Sequence, residues 1–201
     1  MTVGLWLLAS YVLGATPTAY AAGRLARGID LREHGSKNLG ATNVYRVLGW
    51  WWAIPVALFD IAKGAIPVAL FAPWAGRGGW FAVALGFAAV LGHMFSPFVG
   101  FKGGKGVAAA AGMFLALAPL AVAMAVPVWA ACLWLTGYVS LASIVAAVAF
   151  PLLVRLTQPD AMAPFWGSLA LAALIVLSHR ANVRRLLAGT ENRFRTRREL
   201  T

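Results

Sequence analysis

Four polar stretches interrupt an otherwise apolar chain of 201 residues. The clearest chemistry lies in Gly100-Phe101-Lys102-Gly103-Gly104-Lys105-Gly106. Each glycine costs about 0.5–1 kcal/mol of backbone ordering relative to alanine. Each lysine is expensive if drawn into hydrocarbon. Phosphate binding would explain both: glycines leave N–H groups open, the next helix N-terminus adds positive potential, and lysines add full charge. The spacing is not that of a Walker A loop, which needs Gly-x4-Gly-Lys-Ser/Thr. Taken alone, the stretch reads equally well as a plain basic cytoplasmic loop.

The other stretches add hydrogen-bonding groups. In the first, from His34 to Arg46, the residues Asn38, Thr42 and Asn43 suit Asx and ST turns. Ser36 and Arg46 can bind an anion, Arg46 through a bidentate fork. Later, Ser140 and Ser143 share a helix face. Ser140 suits an N-cap, and Ser143 either a ligand contact or an interhelical hydrogen bond. In the last stretch, His179 and Asn182 share a face ahead of Arg184 and Arg185. Nearby positive charge disfavours a charged imidazole, so His179 is expected to be neutral and able to give or accept a hydrogen bond. Outside these stretches, His93 is expected to cap its helix or orient the lysine-glycine loop. Asp60 and Lys63, spaced i, i+3, read as a structural ion pair.

These groups must be positioned by membrane helices. Only 11% of the residues are charged, against about 25% in soluble domains. Apolar runs at about 2–22, 50–71, 80–94, 107–118, 120–135, 140–156 and 165–178 read as seven transmembrane helices. Trp50, Trp51 and Trp52 suit an interfacial belt. No basic region precedes the first run, so it reads as a span and not a cleaved leader. With the N-terminus outside, the loops facing the cytoplasm hold Arg24, Arg27, Arg32, Lys37, Arg46, Lys102 and Lys105. The cytoplasmic C-terminus holds Arg180, Arg184, Arg185, Arg193, Arg195, Arg197 and Arg198. Only Arg77 and Arg155 fall outside, and Lys63 lies within a span; a six-span count would move the C-terminal arginines outside. The expectation is one all-α transmembrane domain over 1–201, with all four polar stretches on the cytoplasmic side. The net charge of +11 follows this bias. It is not laid out as a basic face with stacking aromatics, so nucleic acid is not an expected partner. Cys132 is the one cysteine and can form no intramolecular disulfide.

Four motifs in this order resemble the bacterial membrane-integral glycerol-3-phosphate acyltransferases of the PlsY type. They are Gly35-Ser-Lys-Asn-Leu-Gly-Ala-Thr-Asn43 with Arg46; Gly92-His93 with Phe101-Lys-Gly-Gly-Lys-Gly106; Ser140-Leu-Ala-Ser143; and His179-Arg-Ala-Asn182 through Glu191. The resemblance covers nearly the whole chain. Lys37 stands where that family usually has Gly, and Leu39 where Pro is common. The resemblance implies transfer of a fatty acyl group from acyl phosphate to the 1-hydroxyl of glycerol 3-phosphate in phospholipid synthesis. The products are lysophosphatidic acid and phosphate. It implies no metal or other cofactor, membrane lipids as surroundings, and a multi-pass protein of the bacterial inner membrane. The oligomeric state stays open, a monomer being the simplest case.

The roles expected from this resemblance fit the residue chemistry. Ser36, Arg46 and Lys105 would hold glycerol 3-phosphate, helped by the backbone from Gly103 and Gly104 to Gly106. The amides from Gly40 through Thr42 to Asn43, with Ser143, would cradle acyl phosphate. His179 and Asn182 would orient the reacting groups. The hydroxyl proton would pass to His179 or to the donor's own phosphate. Catalytic weight is thus expected on His179, Asn182, Lys105 and Ser36. A transporter of a phosphorylated metabolite would also explain spans, cations and glycines. It would spread polar groups through the bilayer and carry an internal repeat.

Overall fold

The computed structural model describes residues 1–194, and among them every regular element is helical. Arg195, Arg197 and Arg198, expected among the cytoplasmic arginines, lie outside the described residues. The chain forms two compact units that divide after Leu117.

The first unit begins with α1 (Val3–Ala15) and α2 (Thr18–Arg27). The expected first span of 2–22 is broken here. Pro17 has no N–H and disfavours helical backbone at the residue before it, and Thr16 leaves the helix with ψ 116°. After a polar loop come α3 (Ala41–Leu48) and α4 (Trp50–Ile66). The latter runs through a wide π turn, Pro67–Phe71, into α5 (Ala72–Trp74). Pro67 has no N–H for the regular ladder, which accounts for the turn starting there. Next come α6 (Trp80–Met94), a 3-10 turn at Pro97–Val99, and α7 (Val107–Leu117).

Backbones in this unit approach closely through glycine. A Cβ at Gly14 on α1 would drive into the Ala89 carbonyl on α6, and one at Gly92 on α6 into the Tyr11 carbonyl. Gly64 on α4 and Gly112 on α7 face the Ala109 and Ile61 carbonyls in the same way. Lipid tails are as apolar as leucine, so helix association in a membrane relies on this close contact.

The second unit holds α8 (Pro119–Thr136), α9 (Val139–Thr157), α10 (Met162–Ser178) and α11 (Arg180–Leu187). The expected break near Pro119 is present: Ala118 is non-helical at φ −148°, and Pro119 opens α8, where its missing N–H is harmless. Gly137, at φ 76°, closes α8 in the left-handed conformation. Ser140 is not the N-cap of α9. That position is Tyr138, and the Ser140 side chain is engaged elsewhere.

Six of the seven expected apolar segments each hold one main helix and the first is split in two, and they do not all have spanning length. Trp50–Trp74, Trp80–Val99, Pro119–Thr136 and Val139–Thr157 are long and apolar enough to cross a membrane. A fifth crossing results if Met162–Ser178 and Arg180–Leu187, bent by 56°, are taken as one. α1 has 13 residues and α7 has 11, both short of the bilayer core.

Candidate functional site

In the first unit the polar loop before α3 is built around Asn43, which is 1% exposed. Its Nδ2 donates to the carbonyls of Leu31 at 3.0 Å and His34 at 3.1 Å. Its Oδ1 accepts the Ser36 N–H at 2.7 Å. Its own N–H donates to the Gly40 carbonyl at 2.9 Å. Asn43 therefore organises the loop, and the expected use of its amide in cradling an acyl phosphate is not what this geometry offers. Gly40 is extended backbone at the N-cap of α3, and Thr42 sits in the first turn. Arg46 follows Thr42 by four residues, so the two share a helix face. Ser36, Thr42 and Arg46 are all half-buried.

Lys37 has φ 59°. This left-handed backbone costs a side-chain-bearing residue about 1–2 kcal/mol, which gives a physical reason for glycine at the matching family position. Lys37→Gly relieves that strain and loses some of the gain to unfolded-chain entropy. The expected result is about 0.5–1 kcal/mol of added stability, read as a higher thermal midpoint in detergent. A lower midpoint would contradict the strain.

The lysine-glycine loop is pinned to the end of α6. Gly103 N–H donates to the Met94 carbonyl at 3.0 Å and Gly104 N–H to the His93 carbonyl at 3.1 Å. These bonds satisfy carbonyls that a helix C-terminus leaves without intrahelical partners. They also correct the expectation that both amides lie open to a ligand. The reason for glycine here is proximity. A Cβ at Gly103 would meet the His93 carbonyl, and one at Gly104 would meet His93 Nε2 and, at 2.7 Å, the Leu39 carbonyl. Two further bonds fasten the loop. Ser96 Oγ donates to the Ala15 carbonyl at 2.6 Å. Arg32 Nη1 donates to the Val99 carbonyl at 2.7 Å while pairing with Asp30 at 2.6 Å. Arg32 thus ties the first polar loop to the second. Lys105 is half-buried beyond the pinned glycines, whereas Lys102 is exposed. Thr16, Thr18, Leu39, His93, Gly103 and Gly104 line a small cavity behind the loop.

In the second unit His179 sits where α10 breaks from α11, and it is 3% exposed. Its Nδ1 lies 2.8 Å from the Ile175 carbonyl. A carbonyl can only accept, so Nδ1 carries the proton, and in the neutral ring Nε2 is the basic nitrogen. Asn182, 4% exposed, donates from Nδ2 to Glu191 Oε1 at 2.6 Å. Ser140 Oγ donates to the same oxygen at 2.8 Å, and Arg185 Nε to Oε2 at 2.6 Å. Glu191 is thus the hub that fixes Asn182, and sequence reasoning gave it no role. One signal was available: it is a carboxylate among clustered arginines in a chain with only 6 acidic residues. Burial pushes the Glu191 carboxyl up, but the three hydrogen bonds and the Arg185 charge outweigh this and hold it below the ordinary value of 4.5. Ser143 Oγ accepts from Trp129 Nε1 at 3.3 Å, which is the interhelical bond expected as one of its two readings.

A family model described as glycerol-3-phosphate acyltransferase matches residues 4–189. A glycerol-3-phosphate acyltransferase of Chlorobaculum parvum is 41% identical over 217 residues, covering 92% of this chain and 93% of that protein. One from Geobacter sulfurreducens is 44% identical over 186 residues, covering 92% and 94%. The crystal structure of PlsY (YgiH), an integral membrane glycerol 3-phosphate acyltransferase, in its glycerol 3-phosphate form superposes with a TM-score of 0.88. That pair is 37% identical, and 98% of each chain is covered. The lysophosphatidic acid form gives 0.87 at 36% identity, covering 95% of this chain and 94% of that one.

Proposed function

This chain belongs to the glycerol-3-phosphate acyltransferase family, and from that premise we propose that it acylates the 1-hydroxyl of glycerol 3-phosphate with acyl phosphate as donor. The products are lysophosphatidic acid and phosphate. The reaction takes place at the cytoplasmic face of the bacterial inner membrane, the chain crossing seven times with its N-terminus outside and acting as a monomer among lipids. The short α1 and α7 cross as half-buried partners of longer helices. The motif order with 41% identity over nearly the whole length carries the reading. It is favoured over the transporter because the pinned glycine loop and the Glu191 hub hold polar groups at helix ends.

Both substrates bring a phosphate to a low-dielectric wall, where unpaired charge is costly. Ser36, Arg46 and Lys105 hold the phosphate of glycerol 3-phosphate. The first turn of α3, at Gly40 and Thr42, together with Ser143, serves the acyl phosphate. His179 and Asn182 serve the same reaction by orienting its groups. The acceptor oxygen forms a bond to the acyl carbon, and the bond from that carbon to the phosphate oxygen breaks. The hydroxyl proton leaves on the departing phosphate, whose oxygens neighbour the scissile carbonyl. Most of the rate comes from proximity and charge stabilisation.

Purified protein in detergent, given acyl phosphate and labelled glycerol 3-phosphate, is expected to form labelled lysophosphatidic acid. No product would remove the enzyme reading. His179→Gln is expected to retain substantial turnover with an unaltered pH profile. Near-complete loss together with a lost acid limb would instead make His179 the base.

A further inference from the structure

The buried cluster of Asp60, Lys63 and His93 takes no part in the proposed reaction as described above. Asp60 and Lys63 are each 1% exposed on α4, with Nζ 2.6 Å from Oδ1. The same oxygen accepts the Thr18 hydroxyl at 2.7 Å. Lys63 Nζ also donates to the Thr16 carbonyl at 3.0 Å. The pair therefore grips both sides of the break between α1 and α2.

His93 extends the cluster toward the loop. Its Nδ1 lies 3.7 Å from Asp60 Oδ1. Its other nitrogen, Nε2, lies against Gly104, where a Cβ would strike it. Its carbonyl accepts the Gly104 N–H at 3.1 Å. His93 thus bonds Gly104 through its main chain and packs its ring against it, and Lys105 is the next residue along.

Mutual neutralisation alone does not explain this arrangement. An apolar pair of similar volume is commonly as stable as a buried ion pair, and it would need no third ionisable ring beside it. Ionisable groups within membrane helices are rare and usually serve function. We propose that Asp60 and Lys63 are positioning residues for Lys105. The Asp60 carboxylate sets the His93 ring, the ring and the α6 carbonyls set Gly103 and Gly104, and the Lys105 ammonium is thereby held for the substrate phosphate. This rests on the acyltransferase reading and deepens it.

The test uses the full chain in detergent, with glycerol 3-phosphate binding followed by calorimetry and turnover followed by product. The variants are Asp60→Asn/Lys63→Met, His93→Gln and the three changes combined. Removing both charges together avoids stranding one of them in the interior. The double variant is expected to weaken glycerol 3-phosphate binding and raise its KM about tenfold or more, with the KM for the acyl donor unchanged. His93→Gln should do the same, and the combined variant should be no worse than either, since all act along one line. Wild-type affinity in the folded double variant, or additive losses in the combined one, overturns the proposal. If the double variant does not fold, His93→Gln decides alone, and unchanged affinity overturns it. Wild-type protein that binds glycerol 3-phosphate but forms no product would defeat the acyltransferase reading and leave this binding test standing.

Discussion

Replacing Glu191 by alanine is expected to lower stability by about 2–4 kcal/mol, because it strips partners from Asn182, Ser140 and Arg185 at once. Asn182 and Ser140 are buried, so losing this acceptor costs more than it would at the surface. The Arg185 contribution is small, since its side chain is 37% exposed and solvent screens it. The effect is therefore mainly one of hydrogen bonding. Thermal unfolding in detergent reads it directly, and a midpoint equal to that of wild type would refute the hub. The pH dependence has a defined sign. A carboxyl held below its ordinary 4.5 in the fold contributes fully above that value. Its contribution is lost as pH falls through the depressed folded value. Glu191→Gln should remove that acid-side loss while keeping an acceptor for Asn182 and Ser140.

Gly103→Ala is expected to reduce kcat/KM for acyl transfer by about a hundredfold or more. The added Cβ would meet the backbone carbonyl of His93, which has no flexible end to give way. The loop must move off the end of α6, losing the bond from Gly103 N–H to Met94 and displacing Lys105 with it. Gly4→Ala is the control, because nothing lies within 4 Å of a Cβ placed there. It should leave the rate unchanged. A Gly103→Ala protein with wild-type kinetics would mean that the loop tolerates displacement and that its glycines have another purpose.

Helix existence was legible in the sequence because apolar runs between glycine and proline punctuation leave few alternatives. Pro119 and Gly137 mark real ends. Pro17 marks another inside the first expected run, where mostly small residues continue past it to Ala22 and disguise the end. Chemistry-bearing residues were legible as motifs. Their partners were not, because hydrogen bonds join residues far apart in sequence. Ser140 reads as a cap from its position, but it bonds to Glu191, 51 residues away. Asn43 reads as a turn former, but it lies in α3 and its side chain bonds back to Leu31, His34 and Ser36 across the preceding loop. Lys37 reads as a departure from a motif, and only the backbone shows that it occupies a left-handed position.

The sequence by itself determined the class: an all-helical membrane protein with polar groups gathered in a few stretches, and a family signature spread along nearly its whole length. Composition and the length of the apolar runs suffice for the class, since burial of apolar side chains in lipid is a property of segments, and the four motifs carry the signature. The tertiary structure alone decided what each polar group does. It assigned the amides of Gly103 and Gly104 to the end of α6, Asn182 to Glu191, and the ring of His93 to the space between Asp60 and Gly104. Hydrogen bonds and backbone approach are set by distances of a few tenths of an ångström, and residue types and spacing do not encode such distances.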